Sequence, residues 1–407
     1  MATPKLRFKE FSGDWSNKKI GNIASKVGSG STPRGGSEAY TDHGVIFIRS
    51  QNVNNDQLLL NDVAYIPEET HLKMSGSKVI ANDILLNITG ASIGRSCVVP
   101  HDFTEANVNQ HVCIIRTPND DPIFVQSFLS SENGQNAIQS KQAGGGREGL
   151  NFQAIRSIDF YFPPSKQEQT KIATFLTAVD EKISQLSQKL HLLGQYKQGM
   201  MQKLFSQQIR FKADDGSEFG EWESKTLGEV GENIIGLTYS PTDVTNDGSG
   251  ILVLRSSNIK NGRLDKNDQV RVNKKIKEKI IVQPNDILIC TRNGSQRLIG
   301  KSVILNDDEV MTFGAFMSVY RSRSNRFIAY LMQTPWFFEQ VQMNLGARIN
   351  QITTGTLNEF TFDFPCFEEQ TKIADFLSSI DQKIEVVAQQ IEQAKLWKKG
   401  LLQQMFV

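Results

Sequence analysis

The stretch GSQRLIGKS, residues 294–302, sets glycine, lysine and serine in the order of a phosphate-binding loop, whose backbone amides cradle phosphate while the lysine supplies charge. Five residues lie between its glycines where that loop requires four, and the related GASIGRS at residues 90–96 is shorter still. Both read better as turns at a strand edge. GGGR, residues 144–147, reads as a flexible loop. Proton-transfer chemistry fares no better. The five histidines, His43, His71, His101, His111 and His191, lie in the first half of a duplicated chain, and none has a counterpart in the second. The four cysteines, Cys97, Cys113, Cys290 and Cys366, are far apart with no C-x-x-C pair, which argues against zinc and against a disulfide framework. The sequence shows no catalytic site, and no metal or cofactor site is read from it.

A set of polar loops remains. RSQN (residues 49–52) and RSSN (255–258) each end a strand with residue types that read base edges, arginine being bidentate to guanine and asparagine to adenine. Arg49, Ser50, Asn52, Arg255, Ser256 and Asn258 are therefore candidate DNA contacts. Other loops add Ser31, Thr32 and Arg34 (residues 28–36), Asn109 (107–110), Arg147, then Arg292, Asn293 and Arg297 (291–297), and Arg348 and Asn350 (347–351). RSRSNR at 321–326 is a similar loop. The competing account is that these are ordinary solvated turns. Charge bears on the choice. Residues 1–165 carry 15 basic and 16 acidic side chains, and residues 208–365 carry 19 of each. A protein that grips DNA alone has a basic surplus, because affinity comes from neutralising phosphates. Either these lobes do not touch DNA, or a partner supplies the grip while the loops read.

The elements that must position the loops are legible from a repeat. EQTKIATFL (168–176) returns as EQTKIADFL (369–377), 201 residues on, and the match runs without a gap over 167–205 and 368–406. In the first copy Ile172, Leu176, Val179, Ile183, Leu186, Leu190, Leu193, Lys197, Met200 and Leu204 follow steps of four and three. The second repeats them as Ile373, Leu377, Ile380, Ile384, Val387, Ile391, Ala394, Lys398, Leu401 and Met405. Such spacing is a coiled-coil seam, here on helices of about 60 Å. Two copies in register suggest that they pair with each other, antiparallel. Ser165 with Glu168 forms a capping-box pattern, incomplete in the second copy where Cys366 takes the cap. Lys197 and Lys398 share one seam slot and are either register markers or snorkelling side chains. Gly199 and Gly400, each costing about 1 kcal/mol in a helix, mark either a close backbone approach or a frayed end.

The lobes repeat more faintly. Short strands are expected at 45–48, 83–88, 112–115, 158–162, 251–254, 286–290, 317–320 and 360–364, with helices near 123–139 and 327–341, an α+β pattern. RFK at 7–9 recurs at 210–212, just after the first long helix, whereas the second long helix stops at Val407 where its RFK would follow. The chain thus reads as a circularly permuted repeat, a two-fold pseudo-dimer whose termini meet. Its parts are lobe 1–165, helix 166–209, lobe 210–365 and helix 366–407. The opening MATPKLRFKE has no apolar run of signal-peptide length, and no eighteen-residue apolar stretch occurs, so a cytoplasmic protein without membrane contact is expected.

PPSKQEQTKIATFLTAVDEKI (163–183) and PCFEEQTKIADFLSSIDQKI (365–384), each after a globular lobe, resemble the duplicated helix motif of the specificity subunit of type I restriction–modification enzymes. GSTP (30–33) and FIRSQNV (47–53) resemble motifs found early in that family's recognition domains, and YSP (239–241) is a looser version of GSTP that adds Tyr239 to the candidates. The resemblance covers essentially the whole chain. It implies two target recognition domains, each reading one half of a gapped, asymmetric double-stranded DNA site, with the paired helices as the ruler between them. It also implies two methyltransferase subunits docked on the helices and two endonuclease–translocase subunits in the full complex. S-adenosylmethionine, ATP and Mg would belong to those partners, leaving this chain non-catalytic and without a cofactor. Two other readings compete: a duplicated coiled-coil scaffold or adaptor that never touches DNA, and a complete enzyme, which the unmatched histidines count against.

Overall fold

The computed structural model describes residues 3–33, 35–54, 56–142, 149–345 and 350–407, with backbone alone at 36 and 37. The chain divides into two compact units, and the division runs through both long helices instead of following their ends. The first unit comprises residues 1–188 and 388–407, the second residues 189–387. The central helix is Lys166–Phe205 and the C-terminal helix Phe367–Met405. In the first unit, Ile172, Leu176 and Val179 from the front of the central helix share a core with Leu401, Met405 and Phe406 from the end of the chain. In the second unit, Met201 and Leu204 share a core with Ile373, Leu377 and Ile380. Each unit therefore joins the front of one helix to the rear of the other, which makes the helices antiparallel in both. Every one of the ten seam positions in each copy is buried or half-buried.

The seam lysines fix its register. Lys398 donates to Asp180 at 2.7 Å and to Asp56 at 2.9 Å in the first unit, and Lys197 pairs with Asp381 at 2.7 Å in the second. Asp381 is the counterpart of Asp180, 201 residues on, so one interhelical bond is made twice. Burial works against the Lys398 charge, but the two carboxylates more than offset it and hold its pKa above the ordinary lysine value. Asp56, despite burial, is held below the usual carboxylate range by Lys398 and by hydrogen bonds from Ser130 and Gln126, whereas burial wins at Asp180 and raises it. Gly199 and Gly400 are not close approaches, since a Cβ at either would meet nothing within 4 Å.

Both copies of the repeated nine residues turn one side inward and leave Thr170, Lys171, Thr174 and Asp375 exposed. Glu168, fully buried, accepts from Arg7 at 2.7 and 2.8 Å and from Trp15 Nε1 at 3.3 Å. Glu369 likewise accepts from Arg210 at 3.1 and 2.7 Å and from Trp222 Nε1 at 3.1 Å. The RFK arginine and the tryptophan of GDW (residues 13–15) or its repeat GEW (220–222) thus close on one glutamate in each unit, which accounts for the co-repetition of all three. Only half of the expected capping box forms. Glu168 N donates to Ser165 Oγ at 3.3 Å, while the Glu168 carboxylate is engaged by Arg7. Leu6 N donates to Gln404 O at 2.9 Å, so both ends of the chain lie in the first unit side by side.

Among the described residues each lobe has two four-stranded sheets and two two-stranded ribbons. In the first lobe one sheet runs Lys26–Ser29, Val112–Arg116, Ile84–Asn87, Ser96–Val98, and the other Ala64–Ile66, Val45–Ile48, Ala106–Val108, Lys78–Val79. The second lobe repeats the first sheet as Glu232–Ile235, Met317–Arg321, Ile287–Cys290, Ser302–Ile304. Ala106–Val108 and Met311–Phe313 were not expected from the sequence. Each is three residues long and runs parallel to the strand that feeds the RSQN or RSSN turn. The helices expected near 123–139 and 327–341 are each two helices. The first breaks at Ser131, which caps Glu132–Ser140 by accepting from Gly134 N at 3.1 Å. The second breaks at Thr334, the cap ahead of Pro335 at the first helical position.

Candidate nucleic-acid interface

RSQN and RSSN fold alike because each asparagine closes its own turn. Asn258 Oδ1 accepts from Arg255 N at 2.8 Å, and its Nδ2 donates to the carbonyls of Asp265 and Asp268, both at 2.8 Å. Asn52 makes the same three bonds with Arg49, Leu59 and Asp62. Both side chains are buried, so Asn52 and Asn258 are removed from the set of groups that face solvent. Asn109 is also buried, its Oδ1 accepting from His111 N at 3.0 Å. The arginines of the two turns remain part-exposed but carry acidic partners. Arg255 Nη2 reaches both oxygens of Asp268 at 2.7 Å, and Arg49 lies 3.8 Å from Asp62.

In the second lobe the structure brings six of the candidates to one concavity. Tyr239, Arg255, Ser256, Arg292, Asn293 and Asn350 line a cleft of about 1210 Å³. Asn293 Nδ2 donates to Ser256 Oγ at 2.9 Å, and Asn350 Nδ2 to Gly294 O at 3.1 Å, tying three separate loops together. The exposed Arg292 lies over the Phe316 ring at 4.8 Å from its centroid. Phe316 and Asp268 are cleft residues that sequence reasoning missed. Only their distance from Arg255 and Arg292 along the chain hid them. Arg297 is exposed on the adjoining turn but does not line the cleft.

In the first lobe the exposed Thr32 donates to Gln110, whose Nε2 lies 3.0 Å from His111 Nε2, and His111 Nδ1 lies 2.6 Å from Thr89 Oγ1. Ser31 is exposed beside them, and Ser50 O accepts from Asn87 Nδ2 at 2.9 Å. The approach of residue 30 to this loop demands glycine, since a Cβ there would stand 1.6 Å from Val108 O. His111, dismissed as a catalyst, turns out to join the loops at residues 32, 89 and 110. Arg34, Arg147 and Arg348 lie outside the described residues.

Among the described residues, neither GASIG nor the buried cysteines Cys113 and Cys290 are set up as nucleophiles. GASIG at residues 90–94 also spells G-x-S-x-G, yet it links the antiparallel strands Ile84–Asn87 and Ser96–Val98, whereas a nucleophile elbow joins a strand to a helix. Burial pushes the Cys113 thiol up to about 12 and the Cys290 thiol up to about 11. No helix among the described residues is long and apolar enough to cross a membrane.

The chain thus holds two like lobes, each presenting polar loops on a sheet platform and each packed on segments of both long helices. The sequence matches the model of the type I restriction modification DNA specificity domain twice, over residues 12–193 and 220–396, and the chain belongs to that family. It is a specificity subunit of the type I restriction–modification class, the non-catalytic member of such systems. It is 27% identical to the StySPI specificity subunit of Salmonella potsdam over 42% of this chain and 39% of that protein. With the MjaVIII specificity subunit of Methanocaldococcus jannaschii it shares 24% identity over 81% of this chain and 80% of that one. The fold matches the S subunit from M. genitalium with a TM-score of 0.61 at 15% identity, covering 100% and 99% of the two chains. It matches a chain from a study of type I system assembly with a TM-score of 0.57 at 14% identity, covering 97% of each. The duplicated domain sets aside the scaffold reading.

Proposed function

We propose that each lobe reads one half of a gapped, asymmetric DNA site and that the antiparallel helices set the distance between the halves. In this reading Tyr239, Arg255, Ser256, Arg292, Asn293 and Asn350 meet DNA from the second lobe. Ser31, Thr32, Arg49 and Ser50 do so from the first. The observation that carries it is the cleft, where polar groups from three loops converge beside an arginine stacked on an exposed aromatic ring. Arg49 and Arg255 need a trigger to leave Asp62 and Asp268, and a DNA edge supplies it by offering two acceptors in place of a carboxylate. The lobes have no basic surplus, so phosphate grip falls to partners.

Those partners are two methyltransferase subunits on the helices and two endonuclease–translocase subunits beyond them, which bring S-adenosylmethionine, ATP and Mg. The buried sides of Glu168–Leu176 and Glu369–Leu377 are not free to dock them. Tyr196 and Trp397, equivalent residues 201 apart and each about half exposed at 51% and 54%, mark the outward faces that are. The test exchanges residues 1–165 for those of another family member and maps methylated adenines genome-wide in cells holding the methyltransferase. One half of the methylated sequence should change and the other stay. A change in both halves, or in neither, would refute modular reading.

A further inference from the structure

We propose that Glu68, His71 and Glu105 in the first lobe form a binding site for a divalent transition-metal ion of the zinc type, independent of the DNA-reading loops. One ligand atom from each lies within 4.8 Å of the others. Glu68 and His71 stand three residues apart on the helix Glu68–Lys73, a spacing that puts them on one face. Glu105 immediately precedes the strand Ala106–Val108.

The histidine is prepared as a ligand. His71 is 2% exposed, and its Nδ1 lies 2.6 Å from Asn107 Oδ1. Asn107 cannot be turned the other way, because its Nδ2 donates to Met74 O at 2.9 Å and to Ser77 Oγ at 2.8 Å. Nδ1 therefore carries the proton, and in the neutral ring the lone pair sits on Nε2, 3.5 Å from Glu105 Oε2. A nitrogen facing a carboxylate oxygen at that range is satisfied by a proton on Nε2 or by a metal ion between the two, and the second carboxylate of Glu68 nearby favours the ion. A ring N–H held by a fixed acceptor while the other nitrogen points at carboxylates is how metal-binding histidines are oriented. Lys78 now answers part of that demand through its ion pair with Glu105. Its side chain is 41% exposed and that of Glu105 38%, so the ammonium can swing into water when a divalent ion arrives.

One imidazole and two carboxylates suit zinc and its neighbours, with a fourth position left for water. Magnesium and calcium favour all-oxygen sets. The ion would tie the helix Glu68–Lys73 to the strand Ala106–Val108, which runs parallel to the strand leading into the Arg49–Asn52 turn. It would therefore stiffen the platform of the first lobe alone, the second having no histidine.

The test uses the full chain, stripped with chelator and titrated calorimetrically with Zn2+ and separately with Mg2+, with the melting midpoint followed in parallel. The expected result is one tight Zn2+ equivalent that raises the midpoint and is not reproduced by Mg2+. Glu68→Gln and Glu105→Gln, both at accessible positions that should still fold, should each weaken Zn2+ by more than about tenfold. Lys78→Met should tighten it by removing a competing cation. No binding by the unaltered chain, or the same affinity in all three variants, overturns the site and leaves only adventitious binding to surface histidines.

Discussion

Asparagine in a strand-ending turn has two uses that look identical in sequence: it can offer its amide to a base, or it can close the turn. Asn52 and Asn258 do the second, each spending both amide ends on three backbone groups. Replacing such a side chain leaves a buried N–H and two carbonyls without partners, at about 1–3 kcal/mol. Asn258→Ala should lower the unfolding free energy of the second unit, read from urea denaturation, by that much. Asn293→Ala, in the open cleft, should cost less than half as much while relaxing sequence preference. Equal stability loss in the two variants would contradict the division of roles.

Elements in this protein are fastened by charges placed where the seam would otherwise be apolar. Lys398 is 15% exposed between Asp56 and Asp180, one from the lobe and one from the central helix. Its removal strands two half-buried carboxylates, so Lys398→Met should destabilise the first unit by about 3 kcal/mol. Lys395, only three residues away but paired with Glu392 on the open face, should cost under about 0.5 kcal/mol when changed to Met. Denaturant unfolding of the two variants side by side checks the contrast. The same geometry ties the paired strands Val53–Asn54 and Gln57–Leu58 to the helices, because Asp56 adjoins the second strand and the first follows directly on the Arg49–Asn52 turn. The Arg49–Asn52 turn is thereby held in register with the long helices.

At the scale of the whole molecule, the last residues of the chain belong to the first unit. Phe406 is 3% exposed and lies 5.2 Å, centroid to centroid, from Phe124 in a core that also holds Ile172 and Leu176. Phe406→Ala, one residue from the C-terminus, should therefore cost the first unit about 3–5 kcal/mol and leave the second nearly unchanged. Limited proteolysis should show cleavage rising in residues 1–188 and 388–407 and not in residues 189–387. A penultimate residue of a frayed helix would show neither effect.

Several features could be read from the chain alone because they are one-dimensional. Self-similarity gave the 201-residue repeat, four-three spacing gave the seam, and the stranded RFK gave the ring order with adjacent ends. Strands with strong local preference, such as Val45–Ile48 and Ile251–Leu254, were found at their true limits. What depended on partners distant in sequence could not be. Glu168 needs Arg7 and Trp15 to become a clamp, Arg255 needs Asp268, and His71 needs Asn107 and Glu105. The helix breaks at Ser131 and Thr334 turn on caps that compete with an otherwise helical pattern. Which polar side chains face water is settled by burial, and burial is a property of the folded neighbourhood that no local spacing encodes.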